Sequence, residues 1–134
     1  MLRIMGSVDV PHTGVAIAAN LGHFSGKPWA AAALVNLRQN SQQRILLEPR
    51  GTRRLSSQTL LDVRASRTFA GGRLGRMDLL LDVLNLLNET AEESVVSDVI
   101  ATESVSLNPD FGKPNVFADP RRLMIGVRVN LGRP

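Results

Sequence analysis

The fold is decided by one stretch near the end of the sequence, Arg122-Leu123-Met124-Ile125-Gly126-Val127-Arg128-Val129-Asn130-Leu131. From its second residue onward, every other position carries a large apolar side chain, and the positions between are mostly basic, small or polar. Because successive side chains of a β-strand point to opposite faces, this spacing predicts a strand with one apolar and one mostly polar face. An amphipathic helix would instead place its apolar residues three and four positions apart.

The same period of two recurs in four earlier parts of the sequence. These further strands are predicted at residues 2–10, 15–21, 61–69 and 76–83. In 61–69 the apolar set is interrupted by Arg67, whose long aliphatic stem can lie along an apolar surface near a strand end. The sequence therefore predicts an all-β protein, an antiparallel β-meander of about five strands.

The connections between the predicted strands alternate between short and long. Residues 11–14 and 70–73 are short turns, and the Gly-Gly pair in the second is a common hairpin signal. Residues 25–56 and 89–119 are long. Short turns at one end and long loops at the other are typical of outer-membrane barrels. The meander is therefore predicted to be a partial transmembrane β-barrel with two long loops.

The composition sets limits on the class of protein. Of the 134 residues 43% are hydrophobic and the mean hydropathy is close to zero, which is unlike a disordered chain. The longest strictly apolar run, Ala30–Val35, is far shorter than the roughly 20 residues of a transmembrane helix, whereas a transmembrane strand needs only about 10 alternating residues. Cysteine is absent, which excludes disulfides and cysteine-ligated metals.

The charge is unevenly distributed along the chain. A net charge of +4 and a pI near 11.0 are typical of nucleic-acid-binding proteins. However, residues 89–112 carry six acids and no base, whereas residues 38–54 carry five arginines and one acid. We therefore expect two loops of opposite charge, 38–54 and 89–110, that attract each other over the barrel mouth, and no nucleic-acid partner.

The polar faces of the predicted strands carry charges of both signs. This mixture fits the solvated face of a soluble β-sandwich as well as the interior of a barrel, so it does not separate the two. In a barrel, the lumen-facing residues are Asp9, Asp62, Arg64, Arg76, Asp78, Asp82, Arg122 and Arg128. The lipid-facing residues are Leu61, Val63, Met77, Leu79, Leu81, Val83, Leu123, Ile125, Val127 and Val129.

One segment has a second interpretation. Apolar residues between 74 and 87 also fit a helical stripe, and residues 89–101 tolerate a helix, so a helix across 77–101 is an alternative. The neighbouring stretches have no comparable helical pattern, which favours a strand at 76–83. For residues 84–101 the choice between strand and helix stays open.

Few residues in the sequence could carry out chemistry. Gly22–Pro28 is similar to a phosphate-binding loop, but it has one residue too few between its glycines, and Pro28 replaces the required Ser or Thr. The two histidines, His12 and His23, lie in different predicted turns, which argues against a shared metal. Arg53-Arg54 lies where a loop enters a strand, and could anchor the chain at a membrane interface or contact a ligand. No enzyme activity, catalytic residue, cofactor or metal site is predicted.

Five short strings occur in an order and spacing that resemble one protein family. They are SGKPW at 25–29, EPRGTRRL at 48–55, LLDVR at 60–64 with Phe69 after it, LDVLNLLN at 81–88 and DPRRLMIGVR at 119–128. Together they resemble the C-terminal strands of TonB-dependent receptors, in particular the large, loop-rich type with an N-terminal carboxypeptidase-regulatory-like domain. The resemblance covers nearly the whole chain. Asn85 and Asn88 match the family's strand-end pattern and are expected to be structural turn residues.

The resemblance implies a 22-stranded barrel in the outer membrane of a Gram-negative bacterium. An N-terminal plug closes such a barrel, which imports scarce nutrients with energy passed through TonB. Residues 1–134 would be a C-terminal fragment of the barrel domain, with no plug domain and no signal peptide, and would not function alone. Its partners would be outer-membrane lipid, the remaining strands and plug of the receptor, and TonB through the plug. The turns would face the periplasm and the long loops would face outward.

A soluble protein is the alternative that the residues leave open. A small, basic, β-rich binding protein, with nucleic acid as a conceivable partner, has the same strand pattern and net charge. It would be soluble without detergent, and its affinity for polyanions would fall with salt.

Overall fold

The computed structural model describes residues 1–38, 40–70, 75–100 and 106–130. These residues form an all-β structure with antiparallel sheets, as predicted. Within these ranges no helix is long and apolar enough to cross a membrane.

Eleven strands lie within the described ranges. In chain order they are β1 (Leu2–Val10), β2 (Val15–Phe24), β3 (Pro28–Trp29), β4 (Ala32–Leu37), β5 (Asn40–Leu46), β6 (Arg53–Arg54), β7 (Gln58–Ala70), β8 (Arg76–Leu84), β9 (Glu92–Val95), β10 (Pro114–Phe117) and β11 (Arg122–Asn130). The chain divides into two compact units. The sheet unit is made of Met1–Phe24, Gln58–Glu89 and Asp119–Pro134, and the insert unit of Ser25–Ser57 and Thr90–Ala118.

The sheet unit is one five-stranded antiparallel sheet in the order β1-β2-β7-β8-β11. All five predicted strands are confirmed, and β2 and β7 are longer than predicted. The pairing of β8 with both neighbours explains why the helical alternative for 77–101 is wrong. As a strand, β8 places Val83 opposite Val63 of β7 on one side and opposite Leu123 of β11 on the other. The alternate apolar residues of β8 therefore lie on the same face as those of both neighbouring strands.

The connections of the sheet place its two kinds of loop at opposite ends. Phe24 lies opposite Gln58 and Leu84 opposite Arg122, so both long segments leave the sheet and return to it at the same end. At the other end, residues 11–14 form a turn, as predicted, in which Thr13 Oγ1 donates a hydrogen bond of 2.9 Å to the carbonyl of Val10. Of the second predicted turn, at 70–73, residues 71–73 lie outside the described residues.

The insert unit contains strands where the sequence predicts only long loops. Three antiparallel pairs form, β3 with β6, β4 with β5, and β9 with β10. These strands have two to seven residues, and two of the pairs contain register shifts, so they lack the long alternation that reveals the main sheet. The two inserted segments are joined at Ala32, whose N–H donates to the carbonyl of Ser97 and whose carbonyl accepts from Val99, each at 2.8 Å.

The buried apolar side chains of the described residues all lie in the insert unit. They are mostly alanines: Ala30, Ala31, Ala32, Ala33, Leu55, Ala91 and Ala118. Small side chains let the backbones of the short strands approach closely, and backbone hydrogen bonds join some of these residues, such as the bond of 2.9 Å from the N–H of Ala118 to the carbonyl of Ala91. The sheet unit therefore has no apolar core of its own within the described part of the chain.

Candidate functional site

The register of the sheet sorts its side chains onto two faces. Residues directly opposite each other in an antiparallel pair point to the same side. Arg64 is opposite Asp82, and Asp78 is opposite Arg128, so these charges share one side, the polar face. All eight predicted lumen-facing residues lie on this face, by the same alternation along each strand. Whether the face lines a lumen remains a prediction.

Ion pairs and hydrogen bonds cross the polar face between β7 and β8. Arg64 binds Asp82 with two hydrogen bonds, Nε to Oδ1 at 2.5 Å and Nη2 to Oδ2 at 2.9 Å. Further along the same pair of strands, Thr68 Oγ1 donates to Asp78 Oδ1 at 2.8 Å, and Arg76 Nε lies 3.7 Å from that oxygen. The two hydrogen bonds between Arg64 and Asp82 form a bidentate pair, which fixes the geometry of both side chains.

The remaining predicted lumen-facing residues do not form one connected network of bonds. Asp62 accepts a bond of 3.4 Å from Asn20 Nδ2 and one of 2.9 Å from the backbone N–H of Asn85. Arg122 pairs with Asp119, three residues earlier, at 2.5 Å. Asp9 and Arg128 share the face without a side-chain bond to another described residue.

A cavity of about 500 Å³ opens on the polar face. Most of its lining side chains belong to that face, namely Met5, Ser7, Ala18, Asn20, Asp62, Arg64, Asp82 and Leu84. The polar face therefore carries both the charged side chains and an open space between them. The alternation in the sequence separates the two faces of the sheet but does not predict this cavity.

The opposite side, the apolar face, is continuous, and many of its large side chains are exposed. All ten predicted lipid-facing residues lie on it, since Val63, Val83 and Leu123 are opposite one another and the alternation continues along each strand. Ile125 on the edge strand β11 is 71% exposed, and Leu81, beside it on β8, is 39% exposed. The environment of this face remains a prediction.

Arg67, the one arginine that the described strands place on the apolar face, makes a specific contact at the turn end of the sheet. Arg67 lies opposite Leu79, and its Cζ is 4.9 Å from the centre of the Phe69 ring. This arrangement lets the aliphatic stem lie on an apolar surface while the guanidinium stacks on the edge aromatic.

In the insert unit, Arg53 is held by a carboxylate and two aromatic rings. Its Nε and Nη2 donate to the two oxygens of Glu48, the shortest bond being 2.8 Å. Its Cζ lies 5.1 Å from the centre of the Trp29 ring and 5.2 Å from that of Phe111. Trp29 and Phe111 also meet edge to face at 6.0 Å. We call these four residues the Arg53 clamp; it raises the pKa of Arg53 chiefly through the hydrogen bonds to Glu48.

Acid is expected to release the Arg53 clamp. The hydrogen bonds from Arg53 are the main cause that holds the pKa of Glu48 below its ordinary value of 4.5; the N–H of Ala31 adds to this and desolvation opposes it. The resulting stabilisation is present above pH 4.5 and is lost as the pH falls through the lowered pKa. In an NMR titration we expect the Ala31 amide resonance to move with a midpoint below 4.5, and Arg53→Met to raise that midpoint. A midpoint at or above 4.5 in the unchanged protein would contradict the clamp.

The two inserted segments are joined by charge, as their opposite charges suggested. Arg44 Nε lies 3.1 Å from Asp98 Oδ1, and Arg44 Nη2 bonds the hydroxyl of Ser97. This pair links residues 38–54 with 89–110, and their placement over a barrel mouth remains a prediction.

A second cavity, of about 750 Å³, lies within the insert unit. It is lined by Pro28, Trp29, Ala30, Arg44, Leu46, Arg50, Gly51, Arg54 and Ser97. The sequence allows two interpretations of Arg53-Arg54, which are anchoring at a membrane interface and contact with a ligand. The structure separates the two residues, since Arg53 belongs to the clamp and Arg54 lines the cavity.

The residues considered for other chemistry are apart from one another. His23 lies on β2, where its Nδ1 is 2.9 Å from the hydroxyl of Thr59, and His12 has a left-handed backbone in the turn at 11–14. Within the described ranges no three His, Asp or Glu side chains are grouped as a metal site would require. Gly26, in the segment that was compared with a phosphate-binding loop, has a carbonyl that accepts a bond of 3.3 Å from Arg54 Nη1.

Three comparisons with known proteins gave no relative for this chain. No protein-family model, curated protein or solved structure matches it. The evidence for its function therefore comes from the two faces of the sheet, from the insert unit and from the sequence itself.

Proposed function

We propose that this chain forms part of the wall of an outer-membrane β-barrel of the TonB-dependent receptor type, which takes up nutrients. One observation carries the proposal: the sheet exposes a continuous apolar face on one side and has charges around a cavity on the other. A soluble β-sandwich buries the apolar face of each sheet against a second sheet. A barrel wall in a membrane has the reverse arrangement, with apolar residues outside and polar residues inside.

The lengths of the strands support the same assignment. The five strands of the sheet unit have nine, ten, thirteen, nine and nine residues. A transmembrane β-strand tilted in the bilayer needs about 9–11 residues. Strands of globular proteins most often have about 5–6 residues, so five neighbouring strands of nine or more are longer than is usual in a soluble sheet.

The edges of the sheet indicate that the wall is incomplete. β1 and β11 are at the two ends of the strand order, so each has one side whose backbone groups have no partner strand within the described residues. In lipid an unpaired backbone group costs several kcal/mol, and membrane barrels avoid this by closing. We propose that further strands of a receptor pair with these edges, and that this chain is a structural part which does not transport alone.

The proposal of this receptor type is based on the five sequence strings. The two faces of the sheet unit are compatible with the barrel wall of such a receptor. The polar face, with the Arg64–Asp82 pair, would contact water or the plug, through which the receptor reaches TonB. The insert unit would form two outward-facing loops. The membrane would be the outer membrane of a Gram-negative bacterium.

A charge placed on the apolar face is the decisive test. Ile125→Arg is expected to destabilise the membrane-inserted state by about 2–4 kcal/mol, because the side chain would point into lipid. Met124→Arg is the matched control, since Met124 lies next to it on the polar face, opposite Asp82. The measurement is urea unfolding, in lipid vesicles, of the closed barrel that contains this chain, together with the amount of that barrel recovered in outer membranes.

Two results would overturn the proposal. One is an equal loss for Ile125→Arg and Met124→Arg, because the two faces would then have equivalent surroundings. The other is a protein that stays soluble without detergent and binds polyanions in a salt-sensitive way, which is the behaviour expected of the soluble alternative.

A further inference from the structure

The cavity of the insert unit has the size and lining of a small-molecule site. Its volume of about 750 Å³ lies within the range of about 300–1,000 Å³ for ligand pockets. Pro28, Trp29 and Leu46 give it apolar surface, and Arg44, Arg50 and Arg54 give it cationic groups. Apolar walls with a few convergent polar groups are what such sites share.

Two of the three arginines that line the cavity have no carboxylate partner among the described residues. No acidic side chain is among the described residues that line the cavity. Arg44 is compensated by Asp98, but Arg54 donates only to the carbonyl of Gly26, and Arg50 has no ion pair or hydrogen bond with a described residue. Two guanidinium groups therefore remain available at one cavity.

Glu48, the acidic residue closest to Arg50 in the sequence, is already bound to another arginine. Both oxygens of Glu48 bind Arg53, and one also accepts the N–H of Ala31 at 3.3 Å. Glu48 is therefore held by the Arg53 clamp, although it stands only two residues from Arg50 in the sequence. The positive charges of Arg50 and Arg54 are therefore available to an anionic ligand that is not part of the chain.

The walls that carry these groups are fixed by local bonds. Arg50 lies within a turn in which the N–H of Thr52 donates to the carbonyl of Pro49 at 3.2 Å and the Thr52 hydroxyl donates to it at 2.7 Å. Arg54 follows Arg53 on β6, which pairs with β3 beside Trp29. A site that is ordered before binding loses less entropy when it binds.

We propose that this cavity binds a small organic anion with two or more carboxylate or phosphate groups. Guanidinium groups match the geometry of carboxylate and phosphate oxygens, to which they can donate two parallel hydrogen bonds. The cavity is much larger than one inorganic ion, and its Trp29 and Leu46 surfaces suit the carbon skeleton of an organic molecule. The proposal goes beyond membrane insertion and does not depend on it, because every residue that it uses lies in the insert unit.

The chain supplies its own reporter for the test, since Trp29 is its only tryptophan and lines the cavity. Citrate and pyrophosphate are the probes, added to the whole protein in low salt. We expect a saturable change in tryptophan fluorescence that weakens as salt is raised. Arg50→Gln and Arg54→Gln should each weaken binding by at least about tenfold, as expected for the loss of a charge-assisted hydrogen bond.

Arg38→Gln is the matched control. It removes the same charge from the same basic segment but does not line the cavity. Equal weakening by Arg38→Gln would overturn the proposal, because the anion would then respond to net charge alone. No saturable change up to about 10 mM of either probe, weaker than any specific affinity of interest, would also overturn it. Saturation only by vesicles of phosphatidylglycerol would reject a soluble ligand in favour of a lipid headgroup.

Discussion

Replacement of Asn85 by alanine is expected to destabilise the sheet unit by about 3–5 kcal/mol. Asn85 is only 5% exposed and has a left-handed backbone, with φ of 50°. Its Nδ2 donates to the carbonyls of Glu89 and Asp119 at 2.9 and 2.7 Å, and its Oδ1 accepts the N–H of Glu89 at 2.9 Å. Alanine would leave these three backbone groups without their partner and would also disfavour the left-handed conformation.

Asn88→Ala provides the control for this effect. Asn88 has nearly the same backbone conformation, with φ of 54°, but it is exposed and accepts one bond, from the N–H of Arg121 at 3.2 Å. We expect its loss to cost about 1 kcal/mol. Urea unfolding of both variants in the same detergent or lipid gives the comparison. Equal costs would show that the backbone conformation, and not the buried hydrogen bonds, makes Asn85 important.

Gly26→Ala is expected to disrupt the insert unit, at a cost of about 3 kcal/mol or more. A Cβ at this position would lie 1.6 Å from the carbonyl oxygen of Leu55, which is backbone and cannot turn away. The backbone there is held by a bond of 3.1 Å from the N–H of Leu55 to the carbonyl of Lys27. The added methyl group must therefore separate β3 from β6.

The two expected signs of this separation are a faster hydrogen exchange of the Leu55 amide and a changed emission of Trp29. Gly6→Ala is the control, because a Cβ at Gly6 would meet no atom within 4 Å. If the proposed anion site is real, Gly26→Ala should also abolish citrate binding, whereas Gly6→Ala should leave it unchanged. Unaltered exchange at Leu55 in the Gly26 variant would contradict the close approach of the two segments.

The main sheet could be predicted from the sequence because its strands are long and its two faces differ in polarity. Nine residues from Arg122 to Asn130 alternate without a break in their apolar set, and no other regular structure has a period of two. The same alternation separates the two predicted sets of residues, and the register places each set on one side of the sheet. That one side faces a lumen and the other faces lipid stays a prediction.

The insert unit could not be predicted, because its order comes from contacts between distant positions. Arg44 and Asp98 are 54 residues apart in the chain, and the ring pair of Trp29 and Phe111 joins the two inserted segments. A count of arginines in 38–54 could not show which are neutralised. Only the structure separates Arg53, which is bound by Glu48, from Arg50 and Arg54, which line a cavity.

The pairing of β3 with β6 has a consequence for the speed of folding. The hairpin of β1 and β2 closes through a four-residue turn, whereas β2 can meet β7 only after the chain has passed through Ser25–Ser57. Closing a longer loop costs more entropy and slows the formation of non-local strand pairs. Once Pro28 lies opposite Arg54, the two ends of this segment are already near each other. Early pairing of these two short strands would therefore shorten the effective loop and speed the joining of the two halves of the sheet.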